Sequence, residues 1–229
     1  MKRLLLGCAF FLIAGIAAWA GDVAVFVNLG FSPDSRVFMF AQYGLDVDGG
    51  KPFAELYAVN VYTNAYVPDG VKKGSFDVHI YPGQDGSGAL YTLLEKNVAI
   101  TEKYHIDHLA LGRIVYLLVD GQEPKSHIEF RDFNTGNSYA VDLIQRAQTN
   151  GTPIGASFHI VLKATLKDGT QKSFTVGLPG FIREGVTAYR IRQIILSPDE
   201  KSLVFVVDKD YGSDQGKTVR YMVETVNIR

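Results

Sequence analysis

A ten-residue pattern occurs twice in this chain, once near each end. Phe31-Ser32-Pro33-Asp34-Ser35-Arg36-Val37-Phe38-Met39-Phe40 is echoed by Leu196-Ser197-Pro198-Asp199-Glu200-Lys201-Ser202-Leu203-Val204-Phe205. A β-rich stretch precedes each copy (23–29 and 189–195) and an apolar strand continues it. An Asp/Gly-rich loop (46–51 and 208–217) and a closing strand (54–62 and 219–228) follow. Internal repetition constrains architecture strongly, because each copy must build the same small unit. Ser-Pro-Asp is turn chemistry. Proline presets φ at the first central position, and the Ser and Asp oxygens accept nearby backbone N–H groups. The chain is therefore expected to hold antiparallel units at about 23–62 and 189–228.

The stretch between them continues in the same manner. Phe158, Ile160, Leu162, Ala164 and Leu166 alternate with other residues, and Phe174, Val176 and Leu178 alternate again after Lys167-Asp168-Gly169-Thr170. Period-two runs around Asp-Gly predict a hairpin. A second hairpin joins 127–133 to 138–143 through Asn134-Thr135-Gly136-Asn137. The continuous apolar run 114–119 reads as a buried strand, and 76–81 as a further strand closed by Pro82-Gly83. One segment has the other period. Over 89–104, Leu90, Leu93, Leu94, Val98, Ile100 and Tyr104 share one side of a helix, with Ser87 as its N-cap. This amphipathic helix is the only substantial one expected, its stripe packed on a sheet.

Lys2 and Arg3, the apolar run 4–18 and Ala18-Trp19-Ala20 have the layout of a secretory signal peptide. Cleavage after Ala20 leaves residues 21–229 as a single mainly-β domain, periplasmic or secreted. The single Cys, Cys8, falls within the leader, so the mature chain has none to mispair in an oxidising compartment. Removing Lys2 and Arg3 from the 23 basic side chains leaves 21 against 24 acidic ones, a formal charge of −3. Nucleic-acid binders normally carry a clustered basic surplus. No other segment has membrane-spanning length.

The repeated stretches resemble the blade motif of TolB-like and WD-type β-propellers. The first copy, with Gly49-Gly50-Lys51-Pro52 and then Glu55-Leu56-Tyr57-Ala58-Val59-Asn60-Val61, is the fuller match. Ser35 and Glu200 stand where the blade motif has glycine. The whole arrangement is also similar to a bacterial family of predicted secreted proteins of unknown function, domain-of-unknown-function family 2259. The matching features are the Phe31-Ser32-Pro33-Asp34 start, Tyr43-Gly44, the Gly-rich loop, the second Ser-Pro-Asp and the late Arg220-Tyr221-Met222-Val223. That resemblance implies export and carries no site residue with it. A propeller needs roughly four blades or more. Residues 64–188 would then hold two degenerate blades plus the helix. In the alternative, the terminal copies pair as sheets around a β-sandwich-like module. Either is mainly antiparallel β.

Few groupings carry chemistry. Asp46 and Asp48 in one repeat loop, and Asp208, Asp210 and Asp214 in the other, have the spacing of oxygen ligands in calcium loops, although Asp and Gly are ordinary turn residues as well. His105 and His108 could join a metal site, or sit as solvated side chains at a helix C-terminus. Gly83-Gln84-Asp85-Gly86-Ser87-Gly88 lacks the order of a nucleotide-binding loop. No nucleophile motif is present, so no catalytic residue is assigned, and calcium is the one cofactor the loops suggest. The sequence thus reads as a non-enzymatic exported module that binds a protein or other component of the cell envelope. An exported hydrolase with a site drawn from separate strands, and a calcium-stabilised structural module, are the alternatives.

Overall fold

The computed structural model describes residues 22–46, 50–81, 83–148, 154–213 and 216–229. In chain order the elements are β1 (Val25–Phe31), β2 (Val37–Leu45), β3 (Pro52–Asn60), β4 (Ala65–Ser75), α1 (Ser87–Lys96), α2 (Val98–Lys103), β5 (Arg113–Leu117), β6 (His127–Arg131), β7 (Ser138–Gln148), β8 (Gly155–Thr165), β9 (Gln171–Val176), β10 (Arg183–Glu184), β11 (Val186–Leu196), β12 (Ser202–Ser213) and β13 (Gly216–Asn227).

The two Ser-Pro-Asp turns are near-copies in atomic detail. Ser32 Oγ accepts the Val37 N–H at 2.9 Å, and Ser197 Oγ accepts the Ser202 N–H at 3.0 Å. Each serine hydroxyl donates to the aspartate two residues on, at 2.6 Å in both. Those aspartates accept the N–H groups of Arg36 and Lys201 at 3.1 and 3.2 Å. Ser35 (φ 56°) and Glu200 (φ 58°) adopt the left-handed backbone that glycine supplies in a blade. Each turn opens an antiparallel meander, β1-β2-β3 in one copy and β11-β12-β13 in the other.

Three antiparallel sheets result. The first has the order β1-β2-β3-β4 and the central one β13-β12-β11-β5. In the third, β6, β7 and β8 pair in turn, and β8 takes β10 at its start and β9 at its end. Phe158, Ile160 and Leu162 of the third sheet pack on Ile194, Leu203 and Phe205 of the central sheet. Phe31, Phe38, Phe40 and Tyr57 of the first sheet pack on its other face, against Ile195, Val204 and Val206. The outer face of the first sheet, through Met39 and Leu56, takes Leu90 and Leu93 of α1 and Ile100 of α2. The order of layers is therefore sheet, sheet, sheet, helices. Burial on both faces explains why Leu203–Val207 is unbroken apolar sequence. Each such side chain contributes roughly 1.5–3 kcal/mol when fully buried.

Both expected hairpins form. Thr165 pairs with Gln171 across Asp168-Gly169, with Gly169 at φ 86°, and Arg131 pairs with Ser138. Four expectations need correction. The helix is two helices, because Asn97 turns its side-chain amide onto the Leu93 carbonyl (2.8 Å) and leaves helical geometry at φ −126°. Ser87 is the first residue of α1 and not its cap; its N–H and hydroxyl go to Asp85. Residues 76–81 form no strand: β3 begins at Pro52, whose carbonyl accepts the Phe76 N–H (3.0 Å), and the pairing of β3 with β4 ends at Phe53 with Ser75. The run 114–119 contributes β5, which is an edge strand. The two repeats also differ in the strand added to each. β4 joins the first copy beside its last strand, whereas β5 joins the second beside its first. Among the described residues the sheets stack without closing into a barrel or propeller.

Candidate functional site

The residues singled out by sequence do not converge. Asp48, Asp214 and the leader lie outside the described residues. Asp46 closes its loop through the backbone, its N–H donating to the Lys51 carbonyl (2.9 Å) and its carbonyl accepting from Gly50 (2.7 Å). Asp208 and Asp210 both reach across to Arg190 of β11, at 2.8 and 3.2 Å. His108 Nδ1 lies 2.7 Å from the Leu29 carbonyl, and His105 occupies a left-handed turn at φ 50° after α2. Among the described residues no group of three or more His, Cys, Asp or Glu side chains gathers as a metal would require.

A different set of polar groups does gather, along the outer edge of β13. An edge strand presents unpaired N–H and C=O groups, and proteins must blunt it. Here the backbone of residues 22–24 bridges the start of the edge, the Val219 N–H donating to the Asp22 carbonyl (2.8 Å) and the Ala24 N–H to the Val219 carbonyl (3.1 Å), and side chains cover further positions. Gln42 Oε1 accepts the Tyr221 N–H at 2.6 Å, and Asn64 Oδ1 accepts the Thr225 N–H at 2.8 Å. Asn64 also donates to Glu224, whose carboxylate lies 3.8 Å from Arg183 Nη2 of the third sheet. Burial raises the Glu224 carboxyl, and the Asn64 bond and the Arg183 charge offset this only in part. Burial would also raise Glu55, but bonds from Lys73 (2.9 Å), Tyr57 (2.5 Å) and Gln42 (2.6 Å) outweigh it and hold that carboxyl below its ordinary value. Arg220 pairs with the buried Asp22 and lies 4.2 Å over the Phe53 ring. Lys209, opposite Arg220 on β12, is half-buried. Its Nζ stands 5.8 Å from the Tyr211 ring centre and makes no hydrogen bond or ion pair with any described residue. Burial, reinforced by the charges of Arg183, Lys73 and Arg220 against that of Glu55, draws the Lys209 amine down to about 8.

The opposite end of the stack is apolar. Ile114, Leu117 and Val119 are 54%, 50% and 52% exposed, and Leu109, in the loop before β5, is 91% exposed. That loop is tied to β1. Phe31 N–H donates to the Ala110 carbonyl (2.9 Å), Asp107 N–H to the Phe31 carbonyl (2.9 Å), and Asn28 Nδ2 to the Leu111 carbonyl (2.8 Å). Gly30, at φ 103°, permits this approach, since a Cβ there would lie 2.1 Å from the Asp107 carbonyl oxygen. The exposed Val23 shares a cavity with Val119, and the charged Asp120, Arg190, Arg192 and Asp208 line the same cavity.

Sequence reasoning missed most of these residues. Gln42 and Glu224 carry a signal, Gln42 as the lone amide in the apolar run Val37–Leu45 and Glu224 as the lone charge in 221–226. Arg183 and Asn64 carry none, because their partners are brought by other sheets.

No curated protein matches this chain. A family model matches residues 39–227, most of its length, and its description agrees with the export read from the leader. The chain belongs to the DUF2259 family of predicted secreted proteins.

Proposed function

We propose that this exported protein is a binding module of the cell envelope that takes an extended segment of a partner protein onto the free edge of β5. The observation that carries this reading is the exposed apolar run on that edge. β5 ends the central sheet, so its outward N–H and C=O groups follow the register a further strand would need. Its one charged residue, Arg113, is turned to Asp132 and Glu200 (Nη2 to Oδ2 3.0 Å, Nη2 to Oε1 3.1 Å) and does not guard the edge. Neither Lys nor Pro, the usual edge protectors, occurs in Arg113–Leu117. Exposed apolar surface of this continuity marks interaction sites.

The test places a photo-crosslinking amino acid at Leu117 of chain 21–229, with Lys163 on the third sheet as control, and exposes both to envelope and culture-fluid fractions. One near-stoichiometric partner protein captured at position 117, not at 163, and lost with Ile114→Lys is the expected result. Equal capture from both positions refutes the reading. A covalent dimer of the chain as the sole product would make the edge a self-interface and refute it too. Removal of residues 1–20 belongs to the same proposal, and N-terminal sequencing of the exported chain checks it.

A further inference from the structure

Where the first described residues meet β13, one buried carboxylate is only half satisfied. The Asp22 side chain is 4% exposed. Its Oδ2 pairs with Arg220, and its Oδ1 is buried with no hydrogen-bond partner. Arg220 directs Nη1 to the Asp22 and Val219 carbonyls (3.1 Å each) and Nη2 to Oδ2, so none of its bonds reaches Oδ1. The backbone bonds between residues 22–24 and Val219 hold the same residue in place. A buried acceptor left without a donor is uncommon in folded proteins and destabilises them.

Asp22 also lines a cavity of about 420 Å³, together with Val25, Tyr43, Leu45, Asp46 and Asp85. Three carboxylates therefore border this space, and among the described residues no Lys, Arg or His side chain lines it. Asp85 takes the N–H and hydroxyl of Ser87 at 3.0 and 2.5 Å, which leaves Oδ1 of Asp22 as the buried oxygen that lacks a donor. The acidic side chains do not gather as metal ligands. The charge of the cavity suits a cation that carries its own N–H donors, an ammonium group. Asp22 is the first described residue, so in a chain cut after Ala20 only Gly21 precedes it.

We infer that the missing donor is the α-ammonium group of Gly21, set free when the leader is removed, and that it pairs with Asp22 Oδ1 beside this cavity. The inference rests on the cleavage after Ala20 proposed above and is independent of the β5 edge. Hydrolysis of the Ala20–Gly21 amide by water leaves a carboxylate on Ala20 and an amine on Gly21, which takes up a proton below its ordinary value of about 8. One residue spans at most about 3.3–3.6 Å, so that charge lies within reach of the Asp22 side chain. In the precursor the same nitrogen is a neutral amide. Cleavage thus adds a charge-assisted bond at the point where residues 22–24 cover the start of β13. Pairing raises the amine's titration, so its contribution is present below about pH 8 and lost as pH rises through the raised value.

The test compares chain 21–229, released from a fusion with Gly21 as its first residue, with chain 20–229, in which Ala20 moves the charge one residue away. In a chain carrying isotope-labelled glycine, NMR should show the Gly21 amine titrating above about 8, and near that value in Asp22→Asn. At pH 7, chain 20–229 should unfold about 2–4 °C below chain 21–229. The gap should close above about pH 10, where both amines are neutral, and should be missing in Asp22→Asn. Should Asp22→Asn fail to fold, the titration in the wild type decides. An ordinary Gly21 titration, equal midpoints for the two chains, or the same gap in Asp22→Asn overturns the pairing. A mature chain that N-terminal sequencing finds to start elsewhere overturns the role of export. That failure is told apart from failure of the pairing, because the titration uses a chain of defined start.

Discussion

The repeated turn supports a quantitative test, because the same backbone conformation is forced on two different residues. Ser35 and Glu200 sit at φ 56° and 58° in turns whose hydrogen bonds match within 0.1 Å. A left-handed backbone costs an L-residue about 1–2 kcal/mol. Glycine removes that cost, but its freer unfolded chain gives back roughly 0.5–1 kcal/mol. Ser35→Gly should therefore stabilise by about 0.5–1 kcal/mol, which for a chain of this size raises the thermal midpoint by about 1–4 °C. Glu200→Gly should gain less, since it loses an exposed ion pair with Arg113 (3.1 Å) that contributes about 0–1 kcal/mol.

The assay is urea unfolding of chain 21–229, with Ser35→Ala as the control that keeps the strained φ and removes only the hydroxyl. Ser35→Ala should be neutral or slightly destabilising. The two glycine variants lie in different sheets without a shared partner, so their effects should add within about 0.5 kcal/mol. If Ser35→Gly and Ser35→Ala shift the midpoint alike, the left-handed backbone is not the source of the effect, and the reasoning fails.

Burial raises the Glu224 carboxyl, so the folded chain holds that proton more tightly than the unfolded chain does. The associated stability is present below the usual 4.5 and lost as pH rises through the folded value. Glu224→Gln should thus match the wild type near pH 4 and exceed it by on the order of 1 kcal/mol at pH 7, measured by denaturant midpoints across pH. Asp132 behaves oppositely: the Arg113 bond, with Thr135 and the Asn134 N–H, holds its carboxyl well below the usual 3.8. Its contribution is present above that value and lost as pH falls below it. Asp132→Ala should cost roughly 2–3 kcal/mol at neutral pH, with a shallower acid unfolding transition than the wild type. Gly30→Ala drives a Cβ to within 2.1 Å of the Asp107 carbonyl oxygen at φ 103°. It should lower the thermal midpoint and speed amide exchange at Asp107 and Ala110, whose N–H bonds hold the loop before β5.

What could be read from the sequence was local. The Asp168-Gly169 hairpin and the two Ser-Pro-Asp meanders are specified by turn chemistry and period-two alternation within some twenty residues. The errors came from pairings set at a distance. Phe76, Val78 and Ile80 alternate as a strand should, but the strand they would join begins at Pro52, and its last bond, from the Phe76 N–H to the Pro52 carbonyl, leaves Val78 and Ile80 beyond its end. The run 114–119 has the composition of a buried strand. Its position is set by Ile195, which lies opposite Ile114 and belongs to the second repeat. Asn97 looked like one polar residue on a helix, and nothing in the periodicity shows that its amide competes for the Leu93 carbonyl.

The two ends of the central sheet are treated unequally, and that inequality bears on function. Both β13 and β5 are terminal strands facing the same hazard of unpaired backbone groups. At β13, two amide side chains, Gln42 of β2 and Asn64 of the β3–β4 turn, accept the N–H groups of Tyr221 and Thr225, and Gln42 is wholly buried in doing so. Burying an amide costs free energy unless its bonds are made, so placing one there has a use only if that edge must stay closed. At β5, the side chains facing out are Ile114 and Leu117, and the one charge available is drawn away to Asp132. The proposed strand binding at β5 rests on this asymmetry, one edge shielded by buried amides and the other left apolar and open.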